Sequence, residues 1–434
     1  VRKFLFIILV LNIYCFAISL QKVIRLSENN PSIQAAQQQA QAYVHLLRVA
    51  KSSNYPSLDL SYGGTYLDEK PVVYLPVNFG GGTLQMQSQN MYTGALSLSY
   101  PLFTGFAISA RIDEAELKKQ RAALKVEDTK RNLYLNIVHL YSTAVATKHI
   151  IISQKMALNA TQESYKKVQG FFNEGMCSSS ELYRMEASLH QIQSELISTQ
   201  NRYKIILHQL SFLANAPIDT VEALPNINTV VYDNLKAQAL QKRPDIRVMG
   251  LLVKEAQTKI RLAKSRYYPS VALFAQVAYA GDTPALNGDG YTNKNKSAAG
   301  FKIKYNLFSG FKDDNQVEAA RKSRLARKLM LQSYANRVNT ELYSTYLTYQ
   351  SLRSQKSSAQ AQLKAQETYE KLVQEKFENQ LSDADVLSRA ISSSAMARAF
   401  LIQIETKLYD TYAKLLLEVN NQTFLASLRY QKDK

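Results

Sequence analysis

The side chains able to do chemistry are few, and none is placed to work with another. The histidines His45, His139, His149, His190 and His208 are scattered, with no pair at the i,i+3 or i,i+4 spacing that puts two ligands on one helical face. No HExxH, Walker loop, Gly-x-Ser-x-Gly or dinucleotide fingerprint occurs. Gly80-Gly81-Gly82-Thr83 lacks the lysine of a phosphate loop and reads as a flexible loop between two strands. Cys15 and Cys177 are the only cysteines, too few for a disulfide scaffold or a thiolate cluster. Cys177 sits in a polar turn, Met176-Cys177-Ser178-Ser179-Ser180, with no histidine beside it. There, Ser178 and Glu181 have the spacing of a capping box that starts a helix. These absences predict neither an enzyme nor a cofactor or metal site.

The elements around those residues are more informative. The chain has 434 residues, 15 Gly, 10 Pro and 46% hydrophobic residues, which excludes collagen-like and disordered classes. Its net charge is +18, from 53 basic and 35 acidic residues. The densest basic run, Arg321, Lys322, Arg324, Arg327 and Lys328, lies in a helical stretch without base-stacking aromatics and reads as a solvated face, not a nucleic-acid site. Arg2 and Lys3, the apolar run to Phe16 and Ala17-Ile18-Ser19 predict a secretory signal over residues 1–19. Tyr14 before Cys15 argues against lipidation there, and no later segment is long and apolar enough for a spanning helix.

The chain repeats itself. Asn30-Pro31-Ser32-Ile33 and Tyr55-Pro56-Ser57-Leu58 align without a gap with Arg243-Pro244-Asp245-Ile246 and Tyr268-Pro269-Ser270-Val271. Further on, Tyr100-Pro101-Leu102-Phe103-Thr104-Gly105-Phe106 matches Tyr305-Asn306-Leu307-Phe308-Ser309-Gly310-Phe311. Residues 20–228 and 229–434 are thus two copies of one unit: helix, strand, loop, strand, long helix, turn, helix. Period-two alternation predicts strands near 57–67, 92–103, 270–280 and 297–308. Leu60, Leu98, Leu273 and Ile303 fall on their apolar faces; Ser61, Ser97 and Lys302 fall on the opposite ones. Tyr55, Tyr66, Tyr92, Tyr268 and Tyr279 lie towards the strand ends, as in a membrane girdle.

Stretches near 107–172 and 312–377 have no proline, and at 1.5 Å per residue each predicts a helix of about 100 Å. Return helices are expected over 179–214 and 384–424. Leu182, Met185, Leu189, Ile192, Leu196, Thr199, Tyr203, Ile206, Leu210 and Leu213 form a 3.5-residue seam, matched by Leu387 to Leu415 in the second copy. The expected body is a bundle of two full-length and two composite helices. Strands of about ten residues, apolar on one face, suit an outer-membrane barrel, but about eight are needed to close one. Four per chain therefore predict several chains sharing a barrel. The alternatives are soluble sandwich strands and an exported coiled-coil structural protein.

The two-copy layout, Arg243-Pro244-Asp245, the Tyr-Pro-Ser strand starts and the Leu-Phe-Thr/Ser-Gly turns together resemble the TolC-like outer-membrane efflux proteins. The resemblance covers essentially the whole chain after the signal. It implies an α+β membrane protein: a homotrimer with a 12-stranded β-barrel in the outer membrane of a Gram-negative bacterium, above a periplasmic coiled-coil tunnel. The implied function is a passive exit duct for small molecules or drugs, with type I protein secretion as the alternative. The implied partners are a periplasmic adaptor, an inner-membrane transporter and outer-membrane lipid. By the same resemblance Gly175, Met176 and Ser178, with Gln380, Leu381 and Ser382, form the adaptor-docking tips. Asn306 replaces a family proline, and Gln380 stands where the second tip glycine is expected. Glu370, Glu375 and Glu378 lie near that tip; Glu375 and Glu378 are candidate gate acids, or surface partners of Lys371 and Lys376.

Overall fold

A computed structural model describes residues 17–286 and 295–429. In chain order it has α1 Leu20–Ser27, α2 Pro31–Ser52, β1 Ser57–Tyr66, β2 Val72–Leu75, β3 Gly82–Gln85, β4 Asn90–Phe103, α3 Ala107–Asn173 and α4 Ser179–Ala214. It continues with α5 Tyr232–Lys242, α6 Pro244–Lys264, β5 Ser270–Gly281, β6 Asn295–Lys304, α7 Lys312–Glu378, α8 Ala384–Val419 and α9 Asn421–Arg429. Both long helices have 67 residues and both return helices have 36. None of the described helices is long and apolar enough to cross a membrane.

Packing divides the chain across the sequence repeats. One unit takes the residues up to Gln38, Leu124–Arg247 and those from Gln332 on; the other takes Gln39–Ala123 and Val248–Leu331. Each unit draws on both copies.

In the first unit the seam residues of α4 and α8 are buried or half-buried, as the 3.5-residue spacing predicts. Around them, Leu133, Ile137, Tyr141, Leu210, Leu408, Tyr412, Leu415 and Phe424 build one apolar core. Many tyrosines belong here and not to a girdle. Tyr232 packs on Tyr343 and Tyr346, and Tyr412 on Tyr349 and Tyr409, with ring centroids 5.3–6.4 Å apart. The expected leader, apart from residues 17–19, lies outside the described residues. Ile18 is built into the core: its N–H donates to the Thr220 carbonyl at 3.0 Å, and its own carbonyl accepts from the Glu222 N–H at 3.0 Å and the Tyr141 hydroxyl at 2.9 Å. A mature chain that keeps this bridge begins at or before Ile18.

The Arg243-Pro244-Asp245 motif acquires a physical role in the same unit. Pro244 opens α6, where a missing N–H costs no intrahelical bond. Arg243 is buried, donates to Asp245 at 2.9 and 3.0 Å, and pairs with buried Glu418 of α8. Asp245 also accepts from Tyr334 of α7 at 2.7 Å and from Arg131 of α3 at 3.3 Å. Burial alone would lower the Arg243 pKa, but Glu418 and Asp245 outweigh it and raise it. At the equivalent place in the first copy, Asn30 does a smaller job, donating to the Leu213 carbonyl and capping Ser32.

The second unit holds an antiparallel sheet in the order β1-β4-β5-β6. Three strands match expectation closely; β6 ends at Lys304, not near 308. The reason is register. Lys304 pairs with Ser270, the first residue of β5, so residues 305–308 find no strand partner among the described residues. Tyr305, Leu307 and Phe308 are accordingly exposed. Between β1 and β4 the chain forms an unanticipated hairpin, β2 with β3, turned by Gly80, Gly81 and Gly82, all at positive φ. The return helix expected over 384–424 is broken at Asn420, whose side chain caps α9 through the Thr423 N–H at 2.8 Å.

Each strand-to-helix joint is built twice in one way. Gly105 and Phe106, like Gly310 and Phe311, are consecutive left-handed residues. The preceding hydroxyl, Thr104 or Ser309, accepts from the first free helical N–H, that of Ile108 or Asp313, at 3.3 Å. The phenylalanines flanking the turn meet edge to face, at 5.3 Å for Phe103–Phe106 and 5.6 Å for Phe308–Phe311.

Candidate functional site: the strand faces and the helical tips

The sheet presents two chemically different faces, and the register assigns every strand residue to one of them. Leu58 opposes Leu98, Leu60 opposes Leu96, Val277 opposes Leu96 and Phe301 opposes Leu273. Leu60, Leu98, Leu273 and Ile303 therefore share one face, where each is exposed. Tyr62, Tyr66, Tyr92 and Tyr279 join them on it. Tyr92 lies over Gly64, so closely that a Cβ there would come within 2.6 Å of its ring. The opposite face carries Asp59, Ser61, Ser97, Ser99, Gln276, Lys296, Lys302 and Lys304. Met91 and Phe274 are apolar residues on this face, and Phe274 covers its cross-strand partner Gly300.

Among the described residues neither apolar core includes the hydrophobic face, which is touched only locally, by Pro284 and Leu286 at Tyr62 and Gly94, and the outer edges of β1 and β6 have no strand beside them. Residues 321–330 of α7 are exposed on every side, Leu325, Leu329 and Met330 included. A helical turn exposed all round is a surface awaiting a neighbour or solvated by its charges.

The second site, in the other unit, is the pair of helical turns. Gly175 at φ 73° and Gln380 at φ 62° close α3 and α7 with the same hydrogen bonds. Their N–H groups donate to Phe172 and Phe377 at 3.0 Å, and those of Met176 and Leu381 to Phe171 and Lys376 at 2.8 Å. The two tips thus have equivalent backbones, and Gln380 occupies a glycine conformation. Met176 and Leu381 are exposed, with Gly175, Ser178 and Gln380; Ser382 is half-buried. No atom lies within 4 Å of where a Gly175 Cβ would be.

The hairpins are tied to each other behind the tips. Phe171 and Phe377 pack at 6.2 Å, and Val168, Met185, Phe377, Leu387 and Ile391 belong to one small core. Lys167 donates to Glu378 at 2.8 Å, and the Ser188 and Ser388 hydroxyls meet at 2.8 Å. Lys167 holds the Glu378 carboxyl below the usual glutamate range. Glu375 is exposed and Glu370 half-buried. Cys177 is half-buried and donates to the Val168 carbonyl at 3.5 Å, and burial pushes its thiol up, away from reactivity. The capping box is corrected in detail. Ser178 is the residue before α4, but its hydroxyl meets Glu181 and Ser180 and bonds no backbone N–H. Among the described residues no group of three or more potential metal ligands converges.

The tip ties and the Arg243 network lay beyond sequence reasoning, because their partners are some 175 or 200 positions apart and have no shared periodicity. Internal duplication could have paired Ser188 with Ser388's neighbourhood only once the hairpins were known to pack.

Known proteins share these features. A family model described as outer membrane efflux protein matches residues 24–216 and again 235–419. A Salmonella typhimurium protein described as a probable outer membrane lipoprotein, SilC, is 22% identical over 255 residues, 56% of this chain and 52% of its own. The chain thus matches about half the length of that curated relative. The Campylobacter jejuni CmeC outer membrane channel superposes with a TM-score of 0.78 at 16% identity, over 94% of this chain and 85% of that one. The Vibrio cholerae outer membrane protein VceC does so at 0.75 and 15%, over 93% and 95%. At such identities the structures speak to the fold alone.

Proposed function

Since the chain belongs to the outer membrane efflux protein family, outer-membrane channels and not enzymes, we propose that three copies close a 12-stranded barrel and serve as a passive exit duct. The observation that carries this is the open sheet. Four strands cannot close, and among the described residues both edges are unpaired and one face is a largely apolar surface outside either core. Lipid on that face and a copy at each edge resolve all three at once. β6 then gains beyond Lys304 the neighbour it lacks, the β1 edge of the next copy. An exported coiled-coil structural protein would leave the apolar face in water.

A duct of this kind has no internal source of energy. Opening its periplasmic end must come from a partner that binds the open form more tightly than the closed one. We assign adaptor docking to the tips: Gly175, Met176 and Ser178, with Gln380, Leu381 and Ser382. An exposed turn without a Cβ at Gly175 admits a partner's backbone closely. An inner-membrane transporter supplies the drive, and small molecules or drugs are the cargo; protein secretion of type I is the second reading. Of the two candidate gate acids, Glu378 is already neutralised by Lys167, which leaves Glu375 as the freer charge.

The test compares adjacent residues on opposite faces. An arginine facing lipid near the midplane costs about 2–4 kcal/mol in each chain. Leu98→Arg should abolish the trimer in outer-membrane extracts, whereas Ser97→Arg should assemble; equal yields would refute the barrel. Gly175→Trp should assemble normally yet leave cells drug-sensitive, and full export by that variant would remove the docking assignment.

A further inference from the structure

The polar face of the sheet is not neutral. Every charged residue of the four strands lies on it: Lys296, Lys302 and Lys304 on β6 and Asp59 on β1. Three lysines against one aspartate leave a net charge of +2 per chain. All four residues are exposed, and among the described residues none forms an ion pair. Lys302 opposes Ala272 and Lys304 opposes Ser270, while Lys296 opposes Ala278, so small neighbours leave the ammonium groups unscreened by protein. The apolar face carries no charge at all on its strands.

A cation surplus placed on only one face has no role in folding a lone sheet. On the barrel reading, however, that face lines the lumen, and the inference rests on that reading. β6 of one copy then lies beside β1 of the next, so an Asp59 can neutralise at most one of three lysines. The surplus persists and repeats with the symmetry. A narrow, low-dielectric passage lined by one sign of charge raises the local concentration of counter-ions by about tenfold or more. We propose that the barrel section of the duct is an anion-favouring filter, set by Lys296, Lys302 and Lys304, and that the exported cargo is drawn from small organic anions.

Labelling kinetics test this apart from the tips. In a Cys177→Ser parent, cysteine is placed at Ala298, on the lysine face between Lys296 and Lys302, or at Ala299, its neighbour on the apolar face. Purified trimers in lipid are reacted with an anionic and a cationic methanethiosulfonate of similar size. Ala298→Cys should react about tenfold faster with the anion, and Ala299→Cys with neither. Replacing the three lysines by glutamine should erase the preference, and Lys302→Gln alone should reduce it, should the triple variant fail to assemble. Equal rates at Ala298→Cys for both reagents, with Ala299→Cys still protected, would overturn the filter and leave the barrel standing. Equal labelling of both positions would overturn the barrel reading and the filter with it. In planar bilayers the chloride-over-potassium permeability ratio should fall several-fold from the parent to the lysine-free variant; an unchanged ratio would count against the lysines.

Discussion

Two glycines in equivalent joints should respond very differently to one added methyl group. Gly105 and Gly310 sit at φ 59° and 63°, so alanine at either incurs the left-handed penalty of about 1–2 kcal/mol. Part of that is offset, by about 0.4–1 kcal/mol, because alanine restricts the unfolded chain. At Gly310 nothing lies within 4 Å of the new Cβ, so the net cost should stay near 1 kcal/mol. At Gly105 the Cβ would fall 2.3 Å from the Ser265 carbonyl oxygen and 2.9 Å from the Tyr268 Cβ. Neither can yield easily. The Ser265 carbonyl accepts from the Tyr268 N–H at 3.2 Å, and the Tyr268 ring packs edge-on against Phe106 at 5.5 Å. Displacing a packed turn costs a further 1–3 kcal/mol or so. Gly105→Ala should therefore lose about 2–4 kcal/mol in all. Guanidinium unfolding followed by tyrosine fluorescence is the assay, since the chain has 27 tyrosines and no tryptophan. A Gly310→Ala loss equal to or larger than that of Gly105→Ala would refute the close-approach argument.

Arg243→Gln should cost about 3–5 kcal/mol by leaving Glu418 buried and unpaired, and adding Glu418→Gln should restore most of it in the same unfolding assay. Gln380→Gly should stabilise the second tip by about 1 kcal/mol, because glycine adopts its left-handed conformation without the side-chain clash; a melting temperature at or below the parent's would contradict this. The Lys167–Glu378 tie should be pH-dependent in one direction. The Glu378 pKa is lowered in the folded chain, so its stabilisation is present above the ordinary glutamate value of 4.5 and is lost as the pH falls below it. The coupling between Lys167→Met and Glu378→Gln, measured by a double-mutant cycle, should be detectable at pH 7 and vanish in acid; acid-resistant coupling would exclude the ion pair as its source.

Much of this architecture was legible because it is periodic. Alternation placed Leu60, Leu98, Leu273 and Ile303 on one face, and the 3.5-residue seam from Leu182 anticipated buried Met185, Leu196 and Leu210. Duplication doubled each signal. What escaped depends on contacts without a period. The end of β6 is decided by where β5 begins, not by its own alternation, which runs on through Tyr305 and Leu307. The β2–β3 hairpin is framed by Pro71, Pro76 and three glycines, which read as loop. The break at Asn420 hinges on one side chain turning to cap the next helix. At the tips, composition announced a turn at Gly175 but not at Gln380, because the glutamine adopts a conformation its type disfavours. The docking residues could be proposed only as a stretch, and the lysine face only once register had sorted the strands.

The pairing of Ile18 with Thr220 and Glu222 has a temporal meaning. A chain that emerges amino end first exposes Ile18 and Leu20 long before their neighbours exist. Tyr141 arrives some 120 residues later, residues 220–222 later still, and Tyr412, Leu415 and Phe424 close the same core only from the last stretch. Such non-local closure is slow, since ordering a long loop must precede the contacts that reward it. Assembly of the helical unit is thereby deferred until nearly the whole polypeptide has been delivered. A product terminated before Glu418 lacks Phe424 and one of the two carboxylates that hold Arg243, and leaves the core of the helical unit incomplete. Completeness of synthesis is in this way written into the thermodynamics of the core.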